Sequence, residues 1–138
     1  MRGNNVANLV RDFDALIRLL TAVCGKPVED WKSHYAQLAS ISGVGLSTHT
    51  KFLTFLLVPV HGHSALILDD RIIRIVQSGI FRELASLHGL KNAMHSYPRY
   101  LECMHGLAGD LTVSAERLEF FLFEFGLNLK SPGYAAKR

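Results

Sequence analysis

A glycine turn between two predicted helices is the first feature of the sequence that could carry chemistry. It runs through Gly43, Val44 and Gly45, and Ser47 follows at the start of the next helix. Glycines let the backbone approach a phosphate closely, and the free N–H groups of the turn and of the following helix point at that anion. The turn therefore predicts phosphate contacts from these four residues. The open alternative is that both glycines serve only a tight connection between helices.

A lysine and an aspartate form the second candidate group. Lys51 falls in the first turns of the helix after the glycine turn, among apolar neighbours such as Phe52 and Leu53. Desolvation and a helix N-terminus both disfavour the protonated amine, and an unprotonated amine is a nucleophile. Asp69 is predicted to cap the next helix, from where its carboxylate could face the lysine. A lysine that extends into solvent and an ordinary helix cap are the open alternative.

Two arginines, Arg71 and Arg74, are predicted on one face of the helix that Asp69 caps. Guanidinium groups bind phosphate oxygens, so both arginines are candidate phosphate contacts. Exposed arginines also form ordinary solvated helix faces, and this alternative stays open.

Histidines and cysteines are the remaining residues that could hold a metal. His49, His61 and His63 lie near the glycine turn, and an HxH pair can ligate a metal, but neither a carboxylate nor a third ligand is evident beside them. We therefore expect loop histidines and no metal site. Cys24 and Cys103 have no metal-ligand spacing, so we expect two buried, reduced thiols.

The apolar pattern predicts an all-α fold, a compact helical domain over residues 1–130 with a flexible tail at 131–138. The chain has 138 residues, of which 49% are hydrophobic and 20% charged, as expected for one domain. Its longest apolar run, Phe52–Val60, is far shorter than the ~20 residues that span a membrane. We therefore expect a cytoplasmic protein without a membrane partner. A net charge of +3 permits an anionic partner.

Helix signals in the first half of the chain come from periodicity, proline and capping residues. The first helix is predicted to end before Gly25, and Pro27 is predicted to open the second. Ser47 or Thr48 would cap the third, with Pro59 in its last turn. The apolar face predicted for the first helix consists of Val6, Leu9, Val10, Phe13, Ile17, Leu20 and Val23.

The second half carries clearer start and stop signals. The helix after Asp69 is predicted to end near Gly79. The last helix is predicted to start with Ser114 as its cap, to place Val113 against Leu118, and to end at Gly126. Between these helices, breaks are predicted at Gly89, Pro98 and Gly109.

Taken together, these segments resemble the base-excision DNA glycosylases of the helix-hairpin-helix superfamily. The resemblance is carried by the hairpin Leu38–Gly45, by Lys51 and by the segment 67–69. It is closest to bacterial proteins with the 8-oxoguanine DNA glycosylase fold, through residues 47–53 and 67–71. The C-terminal segment 116–123 is similar to the closing helix of those proteins, so the resemblance extends over about Trp31 to Gly126.

The resemblance implies a reaction on double-stranded DNA that contains a damaged base. The base is flipped out of the duplex, a lysine amine attacks the sugar carbon as the base leaves, and the resulting Schiff base leads to strand scission. On this pattern Lys51 is the nucleophile and Asp69 stabilises the cationic sugar. The glycine turn binds the DNA backbone, with a monovalent cation on the hairpin carbonyls as an optional ligand and no redox cofactor.

The phenylalanines of the last helix could form a stacking surface for the flipped base. Their helical spacing predicts that most of the rings belong to the core, with at most one against a base. The cluster consists of Phe120, Phe121, Phe123 and Phe125.

Two non-catalytic interpretations stay open beside the enzyme. In the family, the lysine usually lies two places after the second hairpin glycine, and Ser47 occupies that position here. If the hairpins align without a gap, the chain is a non-catalytic helix-hairpin-helix DNA-binding module. The third interpretation is an accessory subunit whose apolar helices pair with a partner chain. Bacterial proteins of this kind often resemble accessory components of anti-phage defence, which would suit an active enzyme or a repurposed one.

Overall fold

Helices make up most of the described chain, and the predicted all-α class is confirmed. The computed structural model describes residues 7, 10–87 and 93–129. Backbone contacts divide the chain into two compact units, Met1–Ile67 and Leu68–Arg138. The single domain over residues 1–130 stays a prediction, and the tail 131–138 lies outside the described residues, as does the break at Gly89.

The first unit contains three described helices and one short β-hairpin. The helices are α1 (Phe13–Val23), α2 (Trp31–Ala39) and α3 (Leu46–Phe55). The strands β1 (Pro59–Val60) and β2 (His63–Ser64) pair antiparallel. Pro59 therefore lies in a strand, because α3 ends earlier than predicted.

Helix α1 packs through a different face from the predicted one. Leu16 and Leu19 are buried, whereas Phe13 and Ile17 remain about half exposed, at 51% and 45%. Apolar residues occupy both faces of this helix, so periodicity alone could not decide which face meets the core. The buried face contacts a cluster formed by Leu38, Ile41 and Val44.

Helix α2 begins at Trp31 instead of Pro27. Asp30 is its N-cap and accepts a hydrogen bond from the Ser33 amide at 3.0 Å. Val28, just upstream, forms a parallel bridge with Val60 and donates to the Pro59 carbonyl. The backbone of Val28 is therefore engaged by the strand, and the helix cannot extend back to the proline.

In the described part of the second unit there are three α-helices and one 3₁₀ helix. They are α4 (Asp70–Gln77), η1 (Arg82–Leu87), α5 (Ala93–Asp110) and α6 (Ala115–Phe125). Helix α6 packs against α4 and α5, and η1 packs against the same two helices. The core of this unit lies between these elements.

Two predictions for this unit are confirmed and one is wrong. Helix α4 ends at Gln77, near the predicted stop, and Ser114 caps α6 by accepting a hydrogen bond from the Arg117 amide. Pro98, however, lies inside α5 rather than at a break. A proline in the second turn of a helix removes only one hydrogen bond of the ladder, so the remaining turns of α5 continue past it.

The phenylalanines of α6 are mostly exposed, so their predicted role in the core is wrong. Phe120 is 64% exposed and Phe125 is 52% exposed. The buried positions of the helix are Ala115, Leu118 and Leu122, whose spacing of three and four defines a narrow face that includes none of the four rings.

Gly126, at the end of α6, lies unusually close to its neighbours. A Cβ atom built there would be 2.5 Å from the Leu122 carbonyl oxygen and 2.8 Å from the Ile75 side chain. Its φ and ψ of −57° and −38° suit any residue. Packing, not backbone conformation, therefore requires glycine at this position.

Two further observations concern the cysteines and membranes. Cys24 is exposed and Cys103 is partly exposed, so the prediction of two buried thiols is wrong, although both are free. Cys24 follows the last turn of α1, where the chain leaves the core. No helix among the described residues is long and apolar enough to cross a bilayer.

Candidate nucleic-acid interface

The turn between α2 and α3 has the geometry that a glycine permits. Gly43 has a φ of +87°, in the left-handed region that other residues rarely adopt. Gly45 is the N-cap of α3, so the helix begins at Leu46 and the predicted caps, Ser47 and Thr48, lie inside its first turn. A glycine can take the cap position because it does not obstruct the turn.

The inner side of this turn is fixed by contacts within the first unit. Ile41 and Val44 are buried against α1, and the Ser42 amide donates to the Asp12 carboxylate at 3.2 Å. Asp12 also forms an ion pair with Arg11 at 3.5 Å. The turn is therefore held by one apolar anchor on each side of Gly43 and by a carboxylate.

The outer side of the turn is open. Gly43 and Gly45 are exposed, and within the described residues no side-chain hydrogen bond caps the first turn of α3. A Cβ atom built on Gly45 would meet nothing within 4 Å, and its φ and ψ of −87° and 173° suit any residue. Neither packing nor conformation in this unit requires glycine there, so the open space faces outward.

Lys51 and Ser47 lie on the same helix, one turn apart. Lys51 is exposed, and Ser47 is half-buried with its carbonyl accepting a hydrogen bond from the Thr50 hydroxyl at 3.2 Å. Without a bound partner Lys51 is not desolvated as predicted, because its side chain is exposed while that of Leu53 is buried in the core. Its catalytic role stays a prediction.

Asp69 caps α4 as predicted. Its Oδ1 accepts a hydrogen bond from the Ile72 amide at 3.0 Å, and the residue is half-buried. Burial is the main cause that raises the pKa of Tyr100 well above its usual value, followed by the charges of Glu119 and Tyr97 and then that of Asp69. Asp69 therefore stabilises the start of α4, and a role in chemistry would be additional to this structural role. Lys51 belongs to the first unit and Asp69 to the second, and their pairing stays a prediction.

Replacing Asp69 separates these two roles. Asp69→Ala removes the cap, and we expect a loss of roughly 1 kcal/mol in the free energy of unfolding. Asp69→Asn keeps a capping oxygen, so its stability should stay close to wild type while the charge is lost. Urea unfolding measures both, and Ser114→Ala is the matched control for a lost cap. A full loss of stability in the Asn variant would contradict a capping role.

The two candidate arginines already have partners within the second unit. Arg71 donates to the carbonyls of Phe123 and Glu124 at the end of α6, and its guanidinium lies 4.9 Å from the Phe123 ring centre. Arg74 is exposed and donates to the Asp70 carbonyl of its own helix at 3.3 Å. Arg71 thus stabilises a helix C-terminus, and Arg74 keeps the freer guanidinium. Their contacts to DNA stay predictions.

A buried histidine pair lies beneath the turn, and the sequence analysis did not find it. His34 of α2 and His49 of α3 place their Nε2 atoms 2.8 Å apart. His49 is completely buried, so its interpretation as a loop histidine is wrong, while His61 and His63 do lie in the β-hairpin region. Among the described residues no group of three potential ligands could hold a metal.

Burial keeps both imidazoles of this pair neutral. Desolvation lowers the pKa of His34, and desolvation followed by the charge of His34 lowers the pKa of His49 to about 3. The Trp31 ring lies against both, with centroid distances of 5.8 and 6.2 Å. The helices on either side of the turn are thus joined by an uncharged polar contact.

The fold and the open glycine turn define a small helical protein with a candidate phosphate-binding surface. Residues 2–123 match the model of the family described as "Putative 8-oxoguanine DNA glycosylase OGG-like protein". The chain belongs to this family. No curated protein and no solved structure matches it.

Proposed function

We propose that this chain acts in DNA base-excision repair, removing an oxidised purine such as 8-oxoguanine from double-stranded DNA and then cutting the strand through a lysine Schiff base. Family membership over residues 2–123 supports the glycosylase class and a DNA substrate. The turn between α2 and α3 is the proposed helix-hairpin-helix element, through which the chain binds the DNA backbone.

The observation that carries this proposal is a glycine at position 45, where neither local packing nor backbone conformation requires one. Gly45 has an ordinary extended conformation and empty space around its missing side chain. Neither packing nor backbone conformation requires a glycine at position 45. A phosphate that binds the adjacent backbone amides does require one, because a side chain there would hold the phosphate away from the amides. The amides of the uncapped first turn of α3 would supply the donors.

Lys51 is the proposed nucleophile, one helical turn beyond Ser47. Its amine attacks C1′ of the damaged nucleotide, the bond between C1′ and the base breaks, and the base leaves with the bonding electrons. A proton then passes from the nitrogen to O4′ as the C1′–O4′ bond breaks, which gives the imine, and loss of a proton from C2′ expels the 3′ phosphate as the C3′–O bond breaks. Asp69 is proposed to stabilise the cationic sugar. Since Lys51 is exposed, bound DNA would supply its desolvation.

The remaining members of the proposed interface are peripheral. Val44 contributes its backbone amide, since its side chain is buried. Arg71 and Arg74 would approach phosphates, Arg74 with more freedom because fewer of its donors are used. A monovalent cation on the hairpin carbonyls is proposed as an optional ligand.

Gly45→Ala tests the phosphate contact without disturbing the fold. We expect the free energy of unfolding to fall by no more than about 1 kcal/mol, because alanine fits the conformation but is a poorer N-cap than glycine. DNA affinity should fall about tenfold or more, since hydrogen bonds to a charged group are worth roughly 1.5–3 kcal/mol. Fluorescence anisotropy with a labelled duplex measures the affinity. Gly106→Ala, also on open surface, is the matched control and should bind as wild type does.

Incision assays on defined duplexes test the reaction itself. One duplex carries a single 8-oxoguanine, a second an abasic site, and a third is undamaged. We expect cleavage of the first two and none of the third. Cleavage only at the abasic site would limit the activity to the lyase step. Salt-sensitive binding without cleavage would indicate a DNA-binding module, and no binding an accessory subunit.

A further inference from the structure

The histidine pair beneath the turn has features that core packing does not require. His49 is completely buried and His34 is only 6% exposed, whereas the buried side chains of the described residues are mostly apolar. Burial of polar groups costs free energy unless their hydrogen bonds are made. Apolar residues of similar size would fill the same space. What the histidine pair adds is a directional hydrogen bond, which fixes the position of α2 relative to α3.

The bond connects the two helices at a point close to the glycine turn. His34 lies on α2, before the turn, and His49 on α3, directly after it. The backbone amide of His49 donates to the Gly45 carbonyl at 3.0 Å. The imidazole bond therefore acts on the same helical turn whose first amides face the open surface.

The arrangement also decides which ring donates. Nδ1 of His49 is buried and lacks a hydrogen-bond partner among the described residues. If His49 accepted the bond through Nε2, its proton would be on Nδ1, and a buried N–H would be left without an acceptor. Buried N–H groups without partners are rare in proteins. We therefore assign His49 as the donor through Nε2 and His34 as the acceptor.

We propose that the hydrogen bond from His49 to His34 is a positioning bond that holds the first turn of α3, and with it the glycine turn, in the geometry that receives a DNA phosphate. This inference rests on the proposed function, because its consequence is read in DNA affinity. The bond has one direction and one length, so it fixes the rotation and spacing of the two helices more narrowly than apolar contacts do. Neither histidine touches the DNA.

A set of substitutions distinguishes positioning from packing. The double variant His34→Leu/His49→Leu keeps the volume and loses the bond, and removing both polar partners leaves little or no penalty in stability. We expect it to bind duplex DNA about tenfold more weakly than wild type, the loss expected for one misplaced charge-assisted contact. His49→Gln retains a donor close to the Nε2 position and should bind within about threefold of wild type. Leu66→Ala, a core change in the same unit, should lower stability but not affinity.

A measurement without DNA separates this inference from the proposed function. The ¹H–¹⁵N signals of Gly43 and Gly45 report the turn directly, and we expect the double Leu variant to shift them while His49→Gln leaves them in place. If the double variant keeps both the glycine signals and the DNA affinity, the positioning role is overturned. If wild type does not bind DNA, the proposed function fails, and the glycine signals alone decide whether the bond positions the turn.

Discussion

Lys51→Gln is expected to abolish the covalent intermediate. When borohydride is added during the reaction on 8-oxoguanine duplex, wild type should form a reduced adduct that migrates with the DNA, because borohydride reduces the imine to a stable amine. Glutamine has no nucleophilic amine, so the trapped fraction should fall roughly a thousandfold or more. The substitution keeps the length of an exposed side chain on α3, so DNA affinity and stability should change little.

Lys32→Gln is the matched control for this experiment. Lys32 is another exposed lysine of the first unit, in the first turn of α2. It should trap as well as wild type. An adduct that persists in Lys51→Gln would remove Lys51 from the proposed role. Loss of binding together with loss of trapping would instead make Lys51 a contact to the DNA.

Acidification is expected to destabilise the protein strongly below about pH 6.5. Burial lowers the pKa of both His34 and His49, the latter to about 3, so the unfolded chain binds more protons than the folded chain in this range. Stability present above pH 6.5 is therefore lost as the pH falls towards 3. His49 alone should cost about 2.5 kcal/mol between pH 6.5 and 4.5, a large fraction of a typical total.

Urea unfolding at a series of pH values measures this loss, with the only tryptophan as the probe. Trp31 contacts both imidazoles, and Tyr35, whose pKa burial raises, contacts Trp31. The double variant His34→Gln/His49→Gln should show a shallower decline than wild type. The exposed His95→Gln variant should follow wild type. Parallel curves for wild type and the double variant would contradict buried neutral imidazoles.

Local signals in the sequence predicted the helix boundaries that depend on neighbouring residues. Asp69 and Ser114 were identified as caps from their position before an apolar helix, and each accepts a hydrogen bond from the amide three residues later. A cap acts within one helical turn, so its information is contained in a few consecutive letters. The glycine turn was found for the same reason.

Non-local packing decided the features that the sequence could not supply. His34 and His49 are 15 residues apart and meet only because the turn brings α2 against α3. The exposed rings of α6 and the buried face of α1 depend on which neighbouring helix each one meets. The pattern predicted one apolar face of α1, but the helix packs on Leu38 and Ile41 through the other, which carries Leu16 and Leu19.

Gly126 limits how the sequence of this protein can diverge. Its missing side chain leaves only enough room for the Ile75 side chain and the Leu122 carbonyl. A mutation to alanine at position 126 would require the Leu122 carbonyl to move, and a smaller residue at position 75 would relieve only the contact with the Ile75 side chain. Alanine at position 126 is therefore expected only together with a change in the backbone path at the end of α6.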